Sequence, residues 1–322
     1  KTVPRLEARA QTRLASLSTA YRSLVGLSEQ QTAQAIADDG LDILIELGAT
    51  TRYNFVQVLA YRPAPLQASW LGYPHSVGLA AIDHLILDAC AVPTADDLLV
   101  ERPLLMPSTW IVLNPGAFRD EPAVKPRAPD APFTFGSANH PTKYTRAALE
   151  TWARVVAATP GSRFLFLRPE AAAPAFRANV SRIFAETGVD PGRIDFEPVL
   201  GGHLAHYGRM DVSLDTFPLT GGTTTCESLW MGVPVVSLRG EALYQRLSHS
   251  ILTNAGLAEF SVERIEDFVS LATALAGEPE RVAALRAGLR DRLKAGPLGD
   301  AAAFSRDFFA LVTKAVDLNR KP

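Results

Sequence analysis

The sequence predicts an α/β protein built on parallel sheets. Three observations carry this. In the second half of the chain, short apolar runs rich in β-branched and aromatic residues alternate with helical segments, the pattern of βαβ units covered on both faces. An aperiodic stretch dense in Pro, Ala and charge, Asn114 to Pro132, separates that half from the first. The chain has 322 residues, 47% hydrophobic and 20% charged, which is ordinary globular composition and about two domains in length.

Leu6, Leu14, Leu17 and Tyr21 keep helical spacing from Arg5 to Leu24. A second helix spans Ser28 to Asp39, opened by a Ser cap with a Glu in its first turn. The period then changes. Leu41 to Leu47 is a short apolar run ending at Gly48 and reads as a buried strand, and Leu66 to Gly72 and His84 to Asp88 read as two more. Between them Arg62-Pro63-Ala64-Pro65 forbids a helix interior. Beyond the linker, strands are predicted at 133–137, 163–168, 193–196, 211–215 and 233–238. The intervening helices are at 145–158, 172–187, 203–209 and 224–231, and helices dominate from Leu243 onward. No period of repeat length is present.

Lys plus Arg is 32 and Asp plus Glu is 34, a net charge of -2, so the basic excess of a nucleic-acid footprint is missing. No apolar run reaches the roughly 18 residues of a membrane span. Cys90 and Cys226 are too few for a disulfide framework and lack metal-ligand spacing. Lys1 to Pro4 lead directly into a charged helical stretch, so a secretory leader is not expected and a cytoplasmic setting is. No metal constellation and no Ser-His-Asp arrangement emerges.

In a doubly wound sheet, ligands sit beyond the carboxyl ends of the strands. The sharpest loop there is Pro218 to Glu227. Gly221 and Gly222 allow close backbone approach, and the helix start adds free N–H groups and the hydroxyls of Thr223, Thr224 and Thr225, an anion site favoured by the helix dipole. The structural alternative is a capping box, Thr224 with Glu227. Asn139-His140-Pro141-Thr142-Lys143 follows the strand at 133–137. A cation near a helix start opposes the dipole, so Lys143 is either a phosphate contact or a solvated loop lysine. Val199-Leu200-Gly201-Gly202-His203 offers a histidine that either stacks on a base or caps a helix. Arg168-Pro169-Glu170 either supplies an arginine to the cleft or sits exposed. Trp70 to Ser76 ends a strand with mixed aromatic and polar groups, either facing the same cleft or forming a simple turn. Trp152 and Trp230 read as core, and His84 and His249 as structural or surface residues.

Taken in order, Arg62-Pro63-Ala64-Pro65-Leu66-Gln67, Trp70-Leu71-Gly72-Tyr73-Pro74, Asp215-Thr216-Phe217-Pro218 and Gly221 to Pro234 resemble the catalytic region of the O-GlcNAc transferase and SPINDLY family. The likeness runs from about Gly40 to about Phe260. The Thr-Thr-Thr-Cys-Glu form is closer to SPINDLY and its bacterial relatives than to the animal enzyme. The resemblance implies a GT-B fold, two Rossmann-like domains facing a cleft: an acceptor-side part at 1–120, a nucleotide-sugar domain at 121–300 and a C-terminal helix at 301–322. The stretch ahead of the linker is short for a whole acceptor-side domain, so that domain is expected to be incomplete, with tetratricopeptide repeats upstream in the full-length protein.

The implied activity is inverting, metal-independent transfer of a sugar from a nucleotide-sugar to Ser or Thr of a protein, with no cofactor beyond that co-substrate. UDP-GlcNAc is the expected donor. The alternatives are a GDP- or CMP-linked sugar with flagellin as acceptor, or a relative that binds nucleotide without turnover. By resemblance Lys143 contacts the diphosphate beside Asn139 and His140. Gly221, Gly222, Thr223, Thr224 and Thr225 cradle it, Glu227 faces the ribose, and His203 lies against the base with the backbone of Val199 and Leu200. Lys143, Tyr73 and His75 are the catalytic candidates. The chain departs from the family pattern at Ala49, where bacterial relatives carry His, and at Gly222, where the animal enzyme does.

Overall fold

The structure, a computed structural model, describes residues 5–51, 54–114, 116–120, 122–126, 128 and 130–320, with side chains from residue 11 onward. The reading of Lys1 to Pro4, the side chain of Leu6, and Pro115, Glu121, Arg127 and Pro129 of the linker lie outside the described residues.

The chain opens with α1 (Arg5–Leu17) and α2 (Glu29–Ala37), the latter closed at its start by a reciprocal capping box of Ser28 and Gln31. The first sheet follows: β1 (Leu44–Glu46), a short α3 (Val56–Leu59), β2 (Gln67–Ser69), β3 (His84–Asp88) and β4 (Arg102–Met106). These four strands are parallel in sequential order. β4 was not expected from the sequence, because Pro103 argues against a central strand. The structure places it at the sheet edge, paired with β3 alone, where a missing N–H is tolerated.

Past the linker come β5 (Thr134–Ser137), α4 (Arg146–Ala157), β6 (Arg163–Leu167), α5 (Pro174–Glu186), β7 (Ile194–Glu197) and β8 (Val212–Leu214). They are followed by α6 (Thr223–Trp230), β9 (Val235–Leu238), α7 (Leu247–Asn254) and β10 (Ser261–Val262). The chain ends in α8 (Ile265–Ala276), α9 (Pro279–Ala295) and α10 (Ala301–Asn319). The second sheet is parallel throughout, in the order β10-β9-β8-β5-β6-β7. Counted from β5, that is the doubly wound order 3-2-1-4-5-6, whose switch point lies between β5 and β8. β10 is two residues long, too short to register as an apolar run, and it interrupts the part beyond Leu243 in which, as expected, helices dominate.

The main core fills both faces of this sheet. Trp152 of α4 is fully buried, stacks on Phe164 at 5.3 Å and meets Tyr144 edge-on at 5.1 Å. Trp230 is 4% exposed, so both tryptophans read as core are core. The Trp152 indole N–H donates to the Asp215 carbonyl at 3.1 Å, tying the core to the loop after β8. The C-terminal helix crosses back to the first sheet. Phe304 and Phe308 of α10 pack on Trp70 with ring centroids at 5.9 and 4.7 Å, and Arg320 pairs with Asp42. No helix of the described residues is long and apolar enough to cross a membrane.

Candidate functional site

The switch point brings together the loop after β5, holding Asn139 and Lys143, and the loop after β8, running from Asp215 to α6. Lys143 is the last residue of a tight turn, Pro141–Lys143, that precedes α4; Thr145 caps that helix by accepting from the Ala148 N–H at 3.1 Å. Its ammonium therefore leaves the α4 start and donates to the Thr220 carbonyl at 2.8 Å. Burial lowers the pKa of Lys143 below the ordinary 10.5, and the charge of Asp215 opposes that fall.

Asp215 joins the two loops. It is 1% exposed. Its Oδ1 accepts from the N–H groups of Thr216 at 2.9 Å and Gly221 at 2.8 Å and from the Asn139 amide at 3.1 Å, while Oδ2 accepts from the Ser237 hydroxyl at 2.7 Å. Asn139, 3% exposed, returns its carbonyl oxygen to the Thr224 hydroxyl at 2.8 Å. Burial raises the Asp215 pKa. The sequence reading has Asp215 at the end of a strand and at the head of the Asp215-Thr216-Phe217-Pro218 motif, without a role; a carboxylate directly after the buried run Val212–Leu214 was the available signal.

The start of α6 is held open by glycine. A Cβ on Gly221 would lie 2.2 Å from Thr225 Oγ1 and 3.0 Å from Asp215 Oδ1, so the loop closes only without a side chain. Gly222 is the N-cap and supplies no side-chain bond; a Cβ there would meet nothing within 4 Å. The first N–H groups of a helix lack intrahelical acceptors, so this end carries a partial positive charge. Thr223 is exposed and Thr224 partly so, whereas Thr225 is 2% exposed and its hydroxyl pairs with Ser248 at 2.8 Å. Of the three threonines, Thr225 thus turns its side chain inward. The Thr224–Glu227 capping box does not form. The Thr224 hydroxyl goes to Asn139, and the Glu227 carboxylate bonds His203 Nε2 at 3.0 Å and accepts from the Tyr207 hydroxyl at 2.9 Å.

Those last contacts bring a third loop to the site. Gly202 takes φ +61°, a left-handed conformation that suits glycine, and leads into the turn His203–Arg209. His203 keeps its ring partly exposed. Tyr207, missed in the sequence, is fully buried; burial and then Glu227 push its pKa well above the usual value. Leu200 is 90% exposed, and Val199 packs against the core. At the rim, Glu170 lies 3.3 Å from His140 and 3.2 Å from Arg168.

The first sheet supplies the facing wall. His75 stacks on Tyr244 at 5.4 Å, and the Tyr244 carbonyl accepts from both the N–H and the hydroxyl of Thr220, the residue that holds Lys143. Tyr73 is 42% exposed. A cavity of about 220 Å³ lies between the walls, lined by Leu71, Pro74, Trp110, Gly222 and Thr223 among others. A larger one, about 640 Å³, opens at the opposite end of the second sheet, beside Thr134, Arg163 and Asp195. It is at the wrong end of the strands for a doubly wound sheet, and Arg163 is already paired with Asp195 at 2.7 Å. Among the described residues no group of three or more His, Cys, Asp or Glu could hold a metal ion. His84 Nδ1 donates to the Arg102 carbonyl at 3.2 Å, and burial beside Arg239 and Arg246 lowers His249 to about 4; neither touches the site residues named above.

Comparison with known proteins gives the family and the fold. The model of glycosyl transferase family 41 matches residues 12–116 and 124–308. A Solanum lycopersicum protein named "Probable UDP-N-acetylglucosamine--peptide N-acetylglucosaminyltransferase SPINDLY" is 34% identical over 291 residues, covering 89% of this chain and 31% of its own length. The chain thus spans about a third of the curated relatives it matches. A mutant O-GlcNAc transferase of Thermobaculum terrenum superposes with a TM-score of 0.84 at 27% identity, over 98% of this chain and 61% of that one. The sucrose-phosphate synthase of Thermosynechococcus elongatus, 12% identical with a TM-score of 0.58 over 99% of this chain and 81% of its own, shares the GT-B fold alone. The chain belongs to glycosyl transferase family 41.

Proposed function

We propose that this chain carries the site of a nucleotide-sugar-dependent protein glycosyltransferase, moving a sugar with inversion to a Ser or Thr hydroxyl. The observation that carries the reading is the convergence of the Lys143 ammonium and the start of α6 on one switch point, tied by Asp215 and Thr220. In such a transfer the acceptor oxygen bonds to the anomeric carbon as the bond to the diphosphate breaks, and negative charge grows on the departing phosphates. A fixed ammonium and preorganised helix N–H groups meet that charge without a metal ion. Glu227, already fixed by His203 and Tyr207, retains acceptor capacity for ribose hydroxyls. The exposed face of His203 suits a base, with the backbone of Val199 and Leu200 beside it. Tyr73 and His75, on the facing wall, are the candidates to receive the acceptor proton.

UDP-GlcNAc is the donor proposed, since the tomato relative's name gives UDP-N-acetylglucosamine and a peptide. GDP- and CMP-linked sugars are the alternatives, with flagellin among the acceptors. In this reading residues 1–120 form the acceptor side and 121–300 the donor side. The reaction takes place in the cytoplasm, and tetratricopeptide repeats precede the region in the full-length protein. Ala49 and Gly222 favour a second reading, a nucleotide-binding relative without turnover. Intact-mass analysis of candidate acceptors, flagellin included, after incubation with a donor panel decides between them. A mass increment equal to one sugar supports transfer; nucleotide binding with no increment supports the second reading.

A further inference from the structure

We propose that Asp88, on the first sheet, is a positioning residue for the phosphate-binding loop and acts through α7. The inference rests on the reading of that loop given under Proposed function. Asp88 ends β3 and is fully buried. Its Oδ1 accepts from the N–H groups of Cys90 and Ala91, both at 2.9 Å, which fixes the carboxylate within its own loop. Its Oδ2 accepts from the Trp110 N–H at 3.1 Å and from the Ser250 hydroxyl at 2.5 Å, with the Asn254 amide at 3.5 Å. Ser250 and Asn254 belong to α7, which packs with the second sheet.

Two positions before Ser250, and so on the opposite side of the helix, Ser248 faces the phosphate-binding loop. Its hydroxyl donates to the Gly221 carbonyl at 3.0 Å and pairs with Thr225 Oγ1 at 2.8 Å. Ser248 and Ser250 are both fully buried, so neither bond is diluted by water. The eight residues of α7 therefore stand between two clasps. One fixes the helix to the first sheet; the other fixes Gly221 and Thr225, the residues that shape the α6 start. Asp88 touches no part of the phosphate-binding loop. Its hold on Ser250 sets where Ser248 sits, and Ser248 sets where the loop sits. A charged, buried acceptor is suited to this, because its hydrogen bonds are stronger and more directional than neutral ones.

The test is titration calorimetry with UDP, GDP and CMP on this 322-residue chain, followed by a double-mutant cycle with the nucleotide that binds. Ser250→Ala removes the clasp on the first-sheet side, Asp88→Asn strips it of its charge, and Ser248→Ala removes the clasp on the loop side. Ser250→Ala deletes one hydroxyl and leaves the other Asp88 bonds in place, so it serves if Asp88→Asn fails to fold. The expected result is an affinity loss of about tenfold for each single variant, with unchanged circular dichroism. The pair Ser250→Ala with Ser248→Ala loses little more than either alone, because both break one chain of contacts. Wild-type affinity in Ser250→Ala, or losses that multiply in the double variant, overturns the inference. Lys143→Ala separates this from the reading beneath it. If Lys143→Ala loses affinity and Ser250→Ala does not, only the positioning role is wrong. If no nucleotide binds the wild type, or Lys143→Ala binds as well as wild type, the site reading itself is wrong and this inference goes with it.

Discussion

The ammonium of Lys143 and the carbonyl oxygen of Thr220 meet at 2.8 Å although 77 positions separate them in the chain. Each belongs to a different βα loop, and the loops adjoin because β5 and β8 are neighbours at the switch point of the second sheet. A lysine in this setting already spends a hydrogen bond on the protein. A diphosphate at the α6 start would add charge to a donor that the fold has oriented.

Replacing Asp215 by Asn tests the electrostatics. The amide oxygen can keep the three donors on Oδ1, and the amide nitrogen can face the Ser237 hydroxyl, so the hydrogen bonds survive while the charge goes. Burial depresses the Lys143 pKa and Asp215 counters it. An anionic ligand binds the protonated lysine better, so affinity is full below the free-state pKa and declines as pH rises through it. Without Asp215 that pKa falls further. The alkaline limb of nucleotide affinity is therefore expected at lower pH in Asp215→Asn than in wild type, measured by calorimetry across a pH series. A limb that stays put or moves upward contradicts this. The same depressed pKa makes Lys143 a cost to folding while it is charged, and that cost is relieved as pH climbs from the folded-state value toward 10.5.

Gly221→Ala and Gly222→Ala should diverge. The first drives a methyl group to 2.2 Å from the Thr225 hydroxyl, which Ser248 holds in place, and is expected to cost about 1–3 kcal/mol in urea unfolding. The second enters open space and is expected within about 0.5 kcal/mol of wild type. Equal effects would mean that the loop can yield at Gly221.

Glu227→Ala leaves the buried Tyr207 hydroxyl without its acceptor, at an expected cost of about 1–3 kcal/mol. Glu227→Gln retains an oxygen for Tyr207 and should recover most of that loss in the same denaturation experiment. A glutamate that served only the helix end would show no such rescue.

The strands β5, β6, β8 and β9 were legible because a parallel sheet covered on both faces demands continuous apolar runs, and Phe164 to Leu167 or Val235 and Val236 leave no other reading. β4 was hidden by Pro103, which only an edge position accommodates. At the site, Gly221 to Glu227 stood out by composition, and Lys143 by its place after a strand. Asp215 and Tyr207 did not, since their meaning lies in partners far along the chain: Asn139 for one, Glu227 for the other. The local capping box at Thr224 failed for the same reason. Asn139, His203 and Tyr207 outcompete the helix end for both of its members.

The most direct test is nucleotide binding to wild type and Lys143→Ala, followed by thermal unfolding and calorimetry with UDP, GDP and CMP. Ligand at about 100 times its dissociation constant should stabilise the wild type by about 2.7 kcal/mol. The variant should bind about 10- to 150-fold more weakly, the loss of a charged hydrogen bond of about 1.5–3 kcal/mol. A wild-type melting curve unchanged by all three nucleotides, or a variant that binds as tightly as wild type, would contradict it.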